Sequence, residues 1–151
     1  MERSPKTLIV DASTATEWFV EETDSEKADL LKKAHETGRL QIAAPDLLVY
    51  EVSNALVYHP RLTTEDLAQS IVRLLELDLD LIPPRAEFAV ETAKIARKYA
   101  VSAYDASYIA LADIVGTNCV TADEKLYRKL HGKKPLFLLS GLGREWNLPR
   151  E

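Results

Sequence analysis

The sequence predicts an α/β fold, a sandwich with a mainly parallel central sheet of four to five strands. Three observations predict it. Short apolar runs recur along the chain, at Lys6 to Val10, Leu40 to Ala43, Leu79 to Ile82, Asn118 to Thr121 and Leu136 to Leu139. Segments with helical periodicity separate them, the pattern of strand–helix–strand units. The 151 residues carry no internal repeat and no low-complexity linker. One domain over residues 1–151 accounts for the length, with its core at about 6–139 and an irregular tail at 140–151.

Each element has its own signals. The first strand ends at Asp11, and a helix is expected from Ser13 to Val20. After the turn-like Thr23-Asp24-Ser25, a second helix places Ala28, Leu31 and Ala34 on one side and stops near Gly38. Pro45 suits the first position of a helix carrying Leu47, Leu48, Val52, Ala55 and Leu56, and Pro60 ends it. Thr63 or Thr64 caps the next helix, with Glu65 and Asp66 in its first turn, where negative charge is favoured. Its apolar stripe is Leu67, Ile71, Leu74 and Leu75. Pro83-Pro84 closes the third strand, and the helix beyond shows Phe88, Thr92, Ile95, Ala96 and Tyr99 on one face. Ser102 opens a helix running to Gly116 with so little polar surface that it belongs in the interior. A short helix from Asp123 to Leu130 precedes the last strand.

Composition narrows the function classes. Hydrophobic residues make up 46% and charged residues 28% of the chain, enough for a core in a soluble protein and incompatible with disorder or a collagen-like repeat. The one cysteine, Cys119, excludes an internal disulfide and points to a reducing, cytoplasmic setting. No apolar run approaches the roughly 20 residues that span a membrane, and Thr7 to Val10 is too short for a signal-peptide core. A net charge of −5 argues against broad nonspecific nucleic-acid binding. It leaves room for a nucleic-acid enzyme whose acids are gathered in a metal site.

Four acids stand out by position. Ligands of open α/β sheets bind outside the carboxyl ends of the strands. Asp11 follows the first strand, Asp123 lies just past the strand ending at Thr121, and Asp105 sits in the first turn of the interior helix. Glu51 is a mid-helix charge among Leu48, Val52 and Ala55. Each has a plainer explanation: Asp11 caps a helix, Ser102-Ala103-Tyr104-Asp105 and Thr121-Ala122-Asp123-Glu124 both fit capping boxes, and Glu51 finds a cationic partner. Together they say more. Carboxylates about 5 Å apart repel by roughly 3 kcal/mol per pair at an effective dielectric near 20. A cleft holding several needs raised pKa values or a cation. Oxygen ligands without His or Cys select hard ions, Mg2+ or Mn2+, and such a site suits phosphodiester hydrolysis.

Four segments carry a family resemblance: Leu8-Ile9-Val10-Asp11-Ala12-Ser13, Pro45 to Leu56 around Glu51, Tyr104-Asp105-Ala106-Ser107-Tyr108-Ile109-Ala110, and Val120-Thr121-Ala122-Asp123-Glu124. In order and spacing, from about Lys6 to Leu139, they resemble the PIN-domain ribonucleases, and within them the small toxins of VapC type. The resemblance implies a PIN-like α/β/α sandwich. It implies that Asp11, Glu51, Asp105 and Asp123 form an acidic Mg2+ or Mn2+ site, with Ser13 and Thr121 as supporting hydroxyls. It also implies an endoribonuclease leaving a 5′-phosphate, a homodimer, and a cognate antitoxin as partner. Leu126 departs from the pattern, standing where relatives often carry an aromatic residue.

Other features are less specific. Lys125, Arg128, Lys129, His131, Lys133 and Lys134 form a basic run after Asp123, which either holds an RNA backbone or complements a helix C-terminus. Tyr104 and Tyr108 are spaced either to stack on bases or to pack. Trp18 and Phe19 suit a partner surface or the core, and His35 and His59 have no metal-ligand company. A dehalogenase-type phosphatase needs an acid where Ser13 stands, and a receiver domain needs an acidic pair absent here. The serious rival is a PIN-like RNA-binding or regulatory subunit with little turnover, which needs no divalent cation.

Overall fold

The structure, a computed structural model, describes residues 6–149. The ends of the 1–151 span lie outside the described residues. Strand β1 (Lys6–Val10) is the centre of a five-stranded sheet, joined by β2 (Leu40–Pro45), β3 (Asp80–Ile82), β4 (Cys119–Thr121) and β5 (Leu136–Leu138). The order is β3-β2-β1-β4-β5 and every pairing is parallel. Ile9, Val10, Ile42, Ala44 and Val120 have no measurable exposure, as expected of strands covered on both faces. Burying each Val or Ile side chain contributes about 1.5–3 kcal/mol.

Among the described residues seven α-helices connect and cover the strands: α1 (Ala12–Thr16), α2 (Ser25–Glu36), α3 (Leu48–Val57), α4 (Thr64–Glu76), α5 (Ala86–Tyr99), α6 (Ala103–Val115) and α7 (Glu124–Lys129). The interior helix predicted after Ser102 is α6, with Ala106 to Ala112 buried throughout. Ser102 caps it and Gly116 ends it in a left-handed conformation, φ +80°, where a side chain would be strained. Thr63 and Asp66 close a reciprocal capping box on α4.

Three local expectations need correction. The first helix is shorter than Ser13 to Val20: α1 ends at Thr16, and the chain turns through Glu17 to Phe19. Pro45 does not open a helix. It is the last residue of β2, and two residues of turn precede α3. The cap expected at Thr121 sits two residues later, since Asp123 is the cap of α7 and its Oδ1 accepts from Leu126 N at 3.1 Å. Thr121 is instead held in β4 by its bonds to neighbouring turns.

The tail has no strand or helix beyond the single turn at Leu139–Gly141 among the described residues. It is nonetheless packed. Trp146 stacks at 5.7 Å from Phe137 and donates its indole N–H to Leu138 O at 2.7 Å. Trp18 is a core residue, 8% exposed, its N–H given to Ala28 O at 2.8 Å. Beside it, Phe19 is partly buried, and the two line a cleft of about 370 Å³.

Strand order sets where a ligand belongs. The chain moves from β1 outward through β2 to β3, then returns to place β4 on the other side of β1. Connections therefore diverge at the carboxyl ends of β1 and β4. That crevice is where open α/β sheets bind.

Candidate functional site

Asp11 stands at the divergence. It is 5% exposed and caps α1, accepting Thr14 N at 3.0 Å and Ser13 Oγ at 2.7 Å on Oδ1. Its other oxygen receives the Thr121 hydroxyl at 2.5 Å. Ser13 Oγ in turn accepts Ala122 N, and Thr121 Oγ1 accepts Asp123 N. The two turns after β1 and β4 are thus stitched together through one carboxylate. Burial holds the Asp11 carboxyl above the ordinary range, and the three donors only partly offset it.

Glu51 comes from α3 and Tyr108 from α6, and the Tyr108 hydroxyl donates to Glu51 Oε1 at 2.6 Å. Desolvation raises the Glu51 pKa, the tyrosine bond lowers it, and the charges of Asp105 and Asp11 raise it again. Asp105 is likewise raised, first by desolvation and then by Asp123, with Ser102 and Lys129 opposing. The four acids therefore form a chain of electrostatic neighbours, from Asp123 to Asp105 to Glu51 to Asp11. Asp123 is the most exposed of them.

They do not form a closed cage. Among the described residues, no three Asp, Glu, His or Cys side chains converge tightly enough to grip an ion as they stand. Each acid is engaged nearby: Asp11 with three donors, Glu51 with Tyr108, Asp105 with Ser102, and Asp123 with the start of α7. Yet none of the four is in an ion pair among the described residues. An all-oxygen set, partly desolvated and short of cations, has the chemistry of a hard divalent-cation site.

A cleft of about 500 Å³ opens beside them, with Ser13 and Glu51 on its wall. Sequence reasoning missed its other acids, Glu17, Glu22, Asp24 and Glu124. Glu17 is 8% exposed, and its carboxyl accepts Asp24 N at 3.1 Å. Desolvation raises its pKa, with Asp24, Glu22 and Asp11 adding to the effect and the backbone bond from Asp24 countering it. The available signal was the density of acids at positions 17, 21, 22 and 24. Of the two readings left open for the tyrosines, Tyr108 packs, at 2% exposure, whereas Tyr104 is 64% exposed beside Asp105.

Residues 8–130 match the PIN domain family. The chain belongs to the PIN-domain family. Ribonuclease VapC3 of Pyrobaculum aerophilum is 36% identical over 127 residues, covering 81% of this PIN-domain chain and 93% of that protein. Solved structures share the fold. PAE2754 from Pyrobaculum aerophilum superposes with a TM-score of 0.62 at 24% identity, over 90% of this chain and 92% of that one. VapBC2 from Rickettsia felis, bound to a DNA fragment from their promoter, gives 0.63 at 11% identity over 95% and 99%. FitAcB from Neisseria gonorrhoeae gives 0.59 at 15% over 87% and 95%. The α/β sandwich expected from the sequence is thus the fold of this PIN domain. No helix among its described residues is long and apolar enough to cross a membrane.

Proposed function

We propose that this PIN-domain protein is a divalent-metal-dependent endoribonuclease, the toxin of a toxin–antitoxin pair. The observation that carries the reading is the set of coupled carboxylates, Asp11, Glu51, Asp105 and Asp123, lacking paired cations where β1 and β4 diverge. The 36% identity to a protein named Ribonuclease VapC3 supports it independently.

Asp11 and Asp105 would be the main ligands of one Mg2+ or Mn2+, with Asp123 completing that site or a second. A bound ion supplies Lewis-acid charge beside the scissile phosphate and acidifies a water. The chain's own residues do the rest. Tyr108 fixes Glu51 through Oε1, so that the other carboxylate oxygen faces its task in one orientation. The raised pKa of Glu51 brings it toward the range where a carboxylate takes a proton from an attacking water. Thr121 and Ser13 hold Asp11 against rotation. Water adds to phosphorus and gives a proton to Glu51, the bond to the 3′ oxygen breaks, that oxygen takes a proton from solvent, and the products carry a 5′-phosphate and a 3′-hydroxyl.

RNA is the substrate in this reading, and a cognate antitoxin and a second copy of the chain are partners. The test is cleavage of a mixed RNA pool by purified protein free of bound inhibitor, with Mg2+, Mn2+ or chelator. Metal-dependent cutting that vanishes in Asp105→Asn is the expected result. A folded protein that cuts nothing at any metal concentration would return the weight to a binding subunit.

A further inference from the structure

A second cavity, of about 280 Å³, lies between α5, α6 and the loop joining α7 to β5. In a chain of net charge −5, Lys94 and Lys98 form one wall and Lys133 and Lys134 the other, against the two acids Glu91 and Asp113. Lys94 pairs with Glu91 at 3.6 Å, and Lys98 lies over the Tyr99 ring at 5.2 Å. The sequence presents these lysines as two unrelated groups; the fold makes them facing walls.

The groove and the candidate site share helix α6, which carries Ile109 and Asp113 of the groove and Asp105 of the site. Helices α5 and α6 form a hairpin, so Tyr99 and Ala100 lie beside the start of α6, where Asp105 is. At that end Lys129 donates to Ala100 O at 3.2 Å, and its charge acts on the Asp105 carboxyl. On α6 the groove is lined by Ile109 and Asp113, four and eight residues beyond Asp105, about 6 and 12 Å along the helix. Lysines thus line both walls of a cavity that lies along α6 on the C-terminal side of Asp105.

We propose that this groove is a track for the phosphodiester backbone of single-stranded RNA flanking the scissile bond, with Lys94, Lys98, Lys133 and Lys134 contacting its phosphates. The inference rests on the ribonuclease reading. Carboxylates at the site repel an incoming backbone, and a cationic groove at one end offsets that repulsion and sets which way the strand lies. Affinity for longer RNA then resides here, away from the acids.

Binding measured without turnover tests it. Wild-type protein in chelator is titrated by fluorescence anisotropy with a labelled single strand of about 20 nucleotides across a range of salt. The doubles Lys94→Ala/Lys98→Ala and Lys133→Ala/Lys134→Ala are each expected to weaken binding roughly tenfold. Each should also flatten the dependence of log K on log salt by about 1.4, near 0.7 for every phosphate that is no longer neutralised. Restoring charge with the corresponding arginine pairs should restore affinity. All four positions are exposed, so an intact thermal melt is expected. Unchanged affinity and slope in both doubles, or no RNA binding by wild type, overturns the track. So does a loss confined to antitoxin binding, which makes the groove a protein surface. RNA bound through these lysines but never cut with metal sinks the nuclease reading and leaves the track standing.

Discussion

Tyr108 and Glu51, 57 positions apart, meet at 2.6 Å, and the tyrosine ring is buried while the carboxylate reaches the cleft. A core residue of α6 thus aims a functional candidate on α3. Because this bond lowers the Glu51 pKa against desolvation and its acidic neighbours, removing it has a direction. Tyr108→Phe keeps the ring and should raise the Glu51 pKa further. The acidic limb of the cleavage pH profile should move upward, with activity at neutral pH down several-fold and stability changed by about 1 kcal/mol. An unmoved acidic limb would separate Glu51 from the chemistry.

Asp11→Asn separates capping from catalysis. The amide oxygen can still accept Thr14 N, so α1 should remain capped, and a buried charge is removed. We expect cleavage to fall at least a hundredfold while the chelator-treated variant melts at the wild-type temperature or above. Added Mg2+ should raise the melting temperature of wild type, by about 2.7 kcal/mol of stability at a hundredfold excess over Kd, and leave the variant unmoved. A variant that unfolds would make Asp11 a structural cap first.

Stability should also depend on pH in an unusual sense. Asp11, Glu17, Glu51 and Asp105 all titrate above their ordinary values in the folded chain. Between the ordinary and raised values the folded state holds more protons than the unfolded one, so stability falls as pH rises through that window. In chelator the melting temperature should therefore climb as pH drops toward the ordinary carboxylate range, roughly 2–4 °C per kcal/mol gained. A saturating divalent ion should flatten the trend. Calorimetric scans in both conditions check it, and a melting temperature that drops with pH in chelator contradicts it.

His35 offers a control far from the acids. Its Nε2 lies 2.6 Å from Leu77 O and its Nδ1 accepts Ile42 N at 3.1 Å, so it ties α2 to β2 and to the turn after α4. His35→Ala leaves both backbone groups without that partner and should cost about 1–3 kcal/mol for each group kept from water. Denaturant melts measure the destabilisation; kcat at a temperature below the transition should not change.

Fold and acids were legible for different reasons. Parallel strands buried on both faces write themselves as apolar runs, and α6 announces its interior place by lacking polar positions. Asp11 and Asp105 follow from strand and helix ends, and for Asp11 the capping explanation is also true: one oxygen caps α1 while the other meets Thr121. Pairings distant in sequence were not legible. Tyr108 reads as an aromatic free to stack or to pack until α3 lies beside it, and Glu17 reads as a helical residue until α1 stops early. The cap moved from Thr121 to Asp123 because the Thr121 hydroxyl is committed to Asp11, a bond across 110 positions.

The most direct measurement is calorimetric titration of Mn2+ into the purified chain, beside Asp11→Asn and Asp105→Asn. Saturable binding by wild type, at least tenfold weaker in both variants, is the predicted result. No binding, or binding that both variants retain, would contradict a cation site built from these acids.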